Sequence, residues 1–225
     1  MSHKPDTFFP SDPKKIRERI KRYERAFRSP HHDDGAGKRF LLGPLYLLLE
    51  DHAGALISYQ WYETTFPDDI PEAFNHLCWV LALLRSGKQA DAVVKFHELV
   101  FSNLYLIPIL LDLPAPIYPF QHHSNLEERS YISSGPADEL FKIVTEDEKK
   151  WIELKWKDPN LQEKIARFVA IGTRLSDLRP GPERSLLVSE KYEISRPQWP
   201  LTNEENNVFD LSTRRKNSNR KNHLD

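Results

Sequence analysis

Cysteine is nearly absent. Cys78 is the one thiol in 225 residues, so neither an intramolecular disulfide nor a multi-cysteine metal site is open to the chain, and a reducing compartment suits it. Glycine is scarce too, at eight against 17 prolines. The glycines never cluster between a strand and a helix, which excludes a glycine-rich phosphate loop, and the prolines imply short elements with stiff connections. Charge of one sign is also missing, with 32 Lys+Arg against 33 Asp+Glu and a net charge of −1; that balance argues against a dedicated polyanion binder. No run approaches the ~20 apolar residues of a bilayer-crossing helix, and Met1 to Pro10 has no apolar stretch of signal-peptide type. A cytoplasmic protein with no membrane partner is the expectation.

What is present is enough apolar material, 39% with 11% aromatic, to build a core. Ser11 and Asp12 offer caps ahead of Pro13, which suits a first helical turn. The spacing predicts a helix over 13–28, with Ile16, Ile20, Tyr23 and Phe27 on one stripe. Eight basic and two acidic side chains surround that stripe, a local charge of +6. Such a face binds phosphates, membrane surface or an acidic partner, or is simply solvated while the stripe docks. Arg214 to Lys221 adds +5 and leaves the remaining residues at −12.

From 40 to 111 the chain reads as helices punctuated by Pro67, Pro71, Gly87 and Pro108. Leu42-Gly43-Pro44-Leu45-Tyr46 is followed by Ala55-Leu56-Ile57-Ser58-Tyr59 and then Pro67. This order resembles a tetratricopeptide repeat, with one 34-residue unit over 36–69 and a second over 73–106 that carries Gly87, Ala92 and Phe96. In such a hairpin small residues such as Ala55 and Ala92 let two helices approach, and Tyr59 and Phe96 fill the space beside them. Val80 and Leu104 depart from the pattern, and Pro44 sits badly inside a helix, so the first helix is expected to start near Leu42. The stretch from Ser102-Asn103-Leu104-Tyr105 through Ser124-Asn125 to Trp151 is also similar to bacterial tetratricopeptide-containing proteins of undefined activity.

Residues 112–135 contain Leu113-Pro114-Ala115-Pro116-Ile117-Tyr118-Pro119-Phe120 and show no period, which predicts a long aromatic loop. Helices resume over 136–178. Thr145 with Glu148 forms a capping box ahead of Trp151, Ile152, Leu154 and Trp156, and Asp158-Pro159 opens a helix with a stripe of Leu161, Ile165, Phe168, Val169, Gly172 and Leu175. Pro180 and Pro182 stop it. The expected organisation is a tail over 1–12, an all-α domain over 13–178 of about two hairpins with an N-terminal helix and C-terminal capping helices, and a mostly irregular basic tail over 179–225.

Candidate chemistry is thin. His31-His32-Asp33-Asp34 and His122-His123 invite a metal, yet adjacent histidines on an extended chain diverge and no helical ligand pair accompanies them. His76 and Cys78 are two apart on a helix and do not share a face. Glu50-Asp51 and Asp68-Asp69 sit where carboxylates cap helices. Neither metal nor cofactor is expected. An enzyme using His122 or His123 with Glu127 or Glu128 ranks below the alternatives.

The repeat resemblance implies a concave groove formed by the first helix of each unit. By position its lining would be Phe40, Leu47 and Leu48, then Phe74, Leu77, Leu81, Leu84 and Arg85, with Tyr118 and Phe120 of the aromatic loop as further contacts. The polar clamp that some relatives use for a terminal carboxylate is missing, because Phe74, Leu77, Cys78 and Leu81 stand in its places. An open patch this apolar is a solubility hazard, so either a partner or the chain's own N-terminal or C-terminal helices must cover it. The function expected is a non-enzymatic protein-interaction module whose partner is another protein or peptide, or a second copy in a homodimer. The alternative is a nucleic-acid-associated factor using the basic helix and tail.

Overall fold

Asp12 accepts the Lys14 amide at 2.8 Å and starts α1 (Pro13–Phe27). Its stripe of Ile16, Ile20, Tyr23 and Phe27 is buried, as the spacing predicted. The computed structural model describes residues 8–28, 34, 35, 37–114, 116–120 and 124–196, so most of the expected N-terminal tail and all of 197–225 lie outside the described residues. Among the described residues every regular element is a helix.

Two helix pairs follow α1: α2 (Lys38–Leu47) with α3 (His52–Thr65), and α4 (Ala73–Arg85) with α5 (Gln89–Ser102). Each pair packs within itself, α2 and α3 both pack on α4, and α1 packs on α2. The seam of the first pair is set by residue size. A Cβ on Gly43 would stand 2.3 Å from Tyr59 Cζ, and Tyr59 is in turn stacked on Trp79 of α4 at 4.7 Å between ring centroids. Ala55 and Ala92 are fully buried, with Tyr59 and Phe96 buried beside them.

The start of α2 corrects the sequence expectation. The helix begins at Lys38 rather than near Leu42, and Pro44 lies inside it. A proline there cannot donate to the carbonyl four residues back, which is Phe40, and an orphaned buried carbonyl costs about 1–3 kcal/mol. Asn75 of α4 removes that cost: its Nδ2 donates to the Phe40 oxygen at 2.8 Å. The helix survives its proline because a neighbouring helix supplies the missing donor.

After α5 come α6 (Leu106–Leu110), α7 (Arg129–Ser134), α8 (Ala137–Leu140), α9 (Glu146–Trp156), α10 (Pro159–Asp177) and α11 (Pro182–Ser195). The Thr145–Glu148 capping box forms as expected, and Asp158 caps α10. Two stretches hold elements that the spacing did not predict. The 112–135 segment contains a 3-10 turn at Asn125–Glu127 as well as α7, and α11 occupies the first part of what was expected to be an irregular tail. The 3-10 turn and α7 are short elements stabilised by packing more than by their own periodicity. Phe120 lies against Gly172 of α10. Asn103, 1% exposed, donates to the carbonyls of Leu126 and Glu128 at 2.8 and 3.1 Å and pins that turn to the end of α5.

Candidate functional site

The inner face of α2 and α4 was the sequence-derived candidate for partner binding, and the structure fills it with the chain itself. Leu77 and Leu81 have no exposed surface, and Leu47 and Phe74 are buried. Phe74 meets Tyr131 of α7 at 5.6 Å and Phe141 at 6.2 Å between ring centroids. A Cβ on Gly135 would come within 2.4 Å of Phe74 Cε2, so the turn between α7 and α8 sits directly on that ring. Phe40 packs on Tyr62 at 5.8 Å beneath the Arg39 guanidinium. Leu48 and Leu84 are half-buried against the same core. Apolar side chains on this face, Phe74 above all, are covered by α7, α8 and the turn between them, which removes apolar surface from water.

Arg85, the one charged candidate, closes this cover. Its Nε and Nη2 donate to the two carboxylate oxygens of Glu148 at 2.7 and 3.0 Å, and Nη2 also donates to the Ile143 carbonyl at 2.5 Å. Burial pushes the Glu148 carboxyl up, and the bonds from Arg85 and the Thr145 amide outweigh that and hold it below the usual carboxylate range. Phe74, Leu77, Leu81 and Arg85 are therefore packed within this fold. In the aromatic loop Phe120 is buried and Tyr118 half-buried, its ring tilted against that of Tyr105 at 5.1 Å between centroids. Ile117, just before Tyr118, points outward, 90% exposed.

The other chemical candidates also resolve. His31, His32, Asp33, His122 and His123 lie outside the described residues. Asp34 is bound by Arg39, which also holds Asp69 at 2.6 Å. No group of His, Cys, Asp and Glu side chains suited to a metal occurs among the described residues. Cys78 is fully buried, and burial pushes its thiol up to about 12, which removes the thiolate needed for nucleophilic attack at neutral pH. No helix among the described residues is long and apolar enough to cross a membrane.

Lys191 escaped the sequence reading, and His76 entered it only as a possible partner of Cys78. Lys191 is 7% exposed, with its ammonium 4.5 Å from the Phe168 ring centre and 5.2 Å from that of Phe120. Burial lowers its pKa, and Glu127 works the other way. The signal was present: Arg184, Leu187, Lys191 and Ile194 recur at helical spacing behind Gly181-Pro182, and a lysine can bury its stem on such a stripe. His76 is 4% exposed. Burial first, and Lys95 second, lower its pKa to about 3, while Nδ1 stands 3.6 Å from Glu98, outside good hydrogen-bond reach.

His76 gives a pH prediction. The folded chain keeps the imidazole neutral well below the ordinary value near 6.5, so from about pH 6.5 downward the unfolded chain binds a proton that the folded one excludes. Stability therefore falls on acidification, by about 1.4 kcal/mol per pH unit within the window from 6.5 towards the folded pKa. Urea unfolding at pH 7, 6 and 5 should show this slope in the wild type and a flatter one in His76→Leu. Equal slopes would remove His76 as its source.

Comparisons with models of known protein families, with curated proteins and with solved structures find no match.

Proposed function

We propose that the chain is a non-enzymatic interaction module of tetratricopeptide type that acts in the cytoplasm. The observation that carries this reading is the pair of successive hairpins, α2 with α3 and α4 with α5, stacked through α4 and seamed by small residues against aromatics. Such stacks work by presenting surface. The inner face being occupied by the chain's own helices, the surface offered to a protein partner is the aromatic loop around Ile117, whose exposure is that of a free apolar side chain on a braced support. Tyr118 and Phe120 act beneath it as the brace.

A photo-crosslinking amino acid at position 117 tests this in cells without disturbing the core. An adduct of one discrete mass, lost when the loop carries Pro116→Gly and Tyr118→Ala, is the expected result. An adduct at twice the chain's mass would make the partner a second copy. Absence of any adduct above background would remove this loop as the contact.

A further inference from the structure

The outer face of α1 concentrates charge of one sign, and the packing of the helix pairs makes no use of it. Lys14, Arg17, Lys21, Arg25 and Arg28 are all exposed. They recur at steps of three and four residues, so they share one side of the helix, away from the Ile16, Ile20, Tyr23 and Phe27 stripe that docks α1 on the core. At 1.5 Å per residue the row is about 21 Å long. Among the described residues no carboxylate forms an ion pair with any of the five. Glu24, half-buried, is bonded by the Tyr46 hydroxyl, which leaves Glu18 as the one exposed acid on this helix. Seven exposed cations, counting Lys15 and Arg22, thus stand on a rigid rod in a protein whose net charge is only −1.

We propose that this row is a docking surface for the phosphate backbone of a nucleic-acid duplex. Three observations select that occupant. Charge complementarity is strongest for a linear polyanion, because the cations form a line and not a disc. A membrane surface is disfavoured, because an interfacial helix inserts an apolar face and the apolar face of α1 is already spent on the core. A single strand is disfavoured, because its capture relies on aromatic platforms for the bases, and the only aromatics of α1, Tyr23 and Phe27, are buried. Guanidinium groups at three of the five positions suit phosphate oxygens, which they engage with two parallel hydrogen bonds. The row carries no base-reading geometry, so recognition is of the backbone and independent of sequence.

The test is fluorescence anisotropy of the full chain with labelled 20-base-pair duplexes, one RNA and one DNA, each in two unrelated sequences. Five neutralised phosphates give a slope of log affinity against log salt of about −4.5, a loss of about 500-fold between 50 and 200 mM salt. The variant Arg17→Gln, Lys21→Gln, Arg25→Gln, with its unfolding midpoint checked against the wild type, should keep a slope of only about −2 and bind about tenfold or more weakly at low salt. The RNA and DNA arms decide which duplex is preferred, and either satisfies the proposal. No binding at 50 mM salt would overturn it, as would an unchanged slope in the variant, which would move the contact to Arg214–Lys221. Binding to phosphatidylserine vesicles without binding to either duplex would overturn it in favour of a membrane. Should the triple variant unfold, Arg17→Gln with Arg25→Gln alone is expected to shift the slope by about 1.8.

Discussion

An Arg85→Leu variant is expected to lose about 3 kcal/mol of stability, the lower end of what breaking a buried ion pair costs. Arg85 and Glu148 are 14% and 9% exposed at the side chain, so removing the guanidinium strands a carboxylate with little water to replace it and leaves the Ile143 carbonyl without its donor. Two further measurements separate this from lost packing. Glu148→Gln placed on top of Arg85→Leu should recover part of the loss, because the orphaned charge is gone. The single variant should also recover on mild acidification. Without Arg85, burial pushes the folded carboxyl up against the Thr145 bonds alone, so its folded pKa rises from the wild-type position, and the variant gives up less stability than the wild type as pH falls. The gap between wild type and Arg85→Leu should therefore narrow from pH 7 to pH 5 in chemical denaturation. A constant gap would mean that Glu148 is not the source.

Gly43→Val should be similarly damaging. A Cβ there falls 2.3, 2.5 and 2.6 Å from Tyr59 Cζ, Oη and Cε1, and the ring cannot retreat because Trp79 lies parallel to it on the α4 side. Overpacking of this kind costs about 1–3 kcal/mol. Even alanine, which gains about 1 kcal/mol over glycine in a helix interior, should be destabilising here, because its single Cβ already collides. Tyr59→Leu vacates the space, at a cost of its own from the lost stacking. The pair must then be non-additive: Gly43→Val should cost at least 1 kcal/mol less in the Tyr59→Leu background than in the wild type. Additive costs from thermal or urea unfolding would show that the seam does not depend on this contact.

Much of this architecture was legible from residue spacing. The stripe of α1, the Thr145 capping box, the Asp158-Pro159 start and the stripe of α10 are local patterns, decided by which side chains share a helix face and which atoms reach the first free amides. The small-against-aromatic positions Ala55, Tyr59, Ala92 and Phe96 were legible too, because close helix contact demands residues of those sizes. The candidate site was not. Nothing local to Leu77 or Leu81 says whether α4 faces a partner or another part of its own chain, since an apolar face has the same sequence in either case.

Alone, then, the sequence determined the helical class, most helix positions, the seam residues and the cationic row on α1, all properties of short windows. Only the tertiary structure decided that the inner face of α2 and α4 is covered, that Arg85 spends its charge on Glu148 63 residues away, and that α2 runs through Pro44 because Asn75 reaches the Phe40 carbonyl. Each of these depends on a partner distant in sequence. Burial of an apolar surface and satisfaction of an orphaned polar group are settled by whichever segment arrives, and that is fixed by the packing of the whole chain.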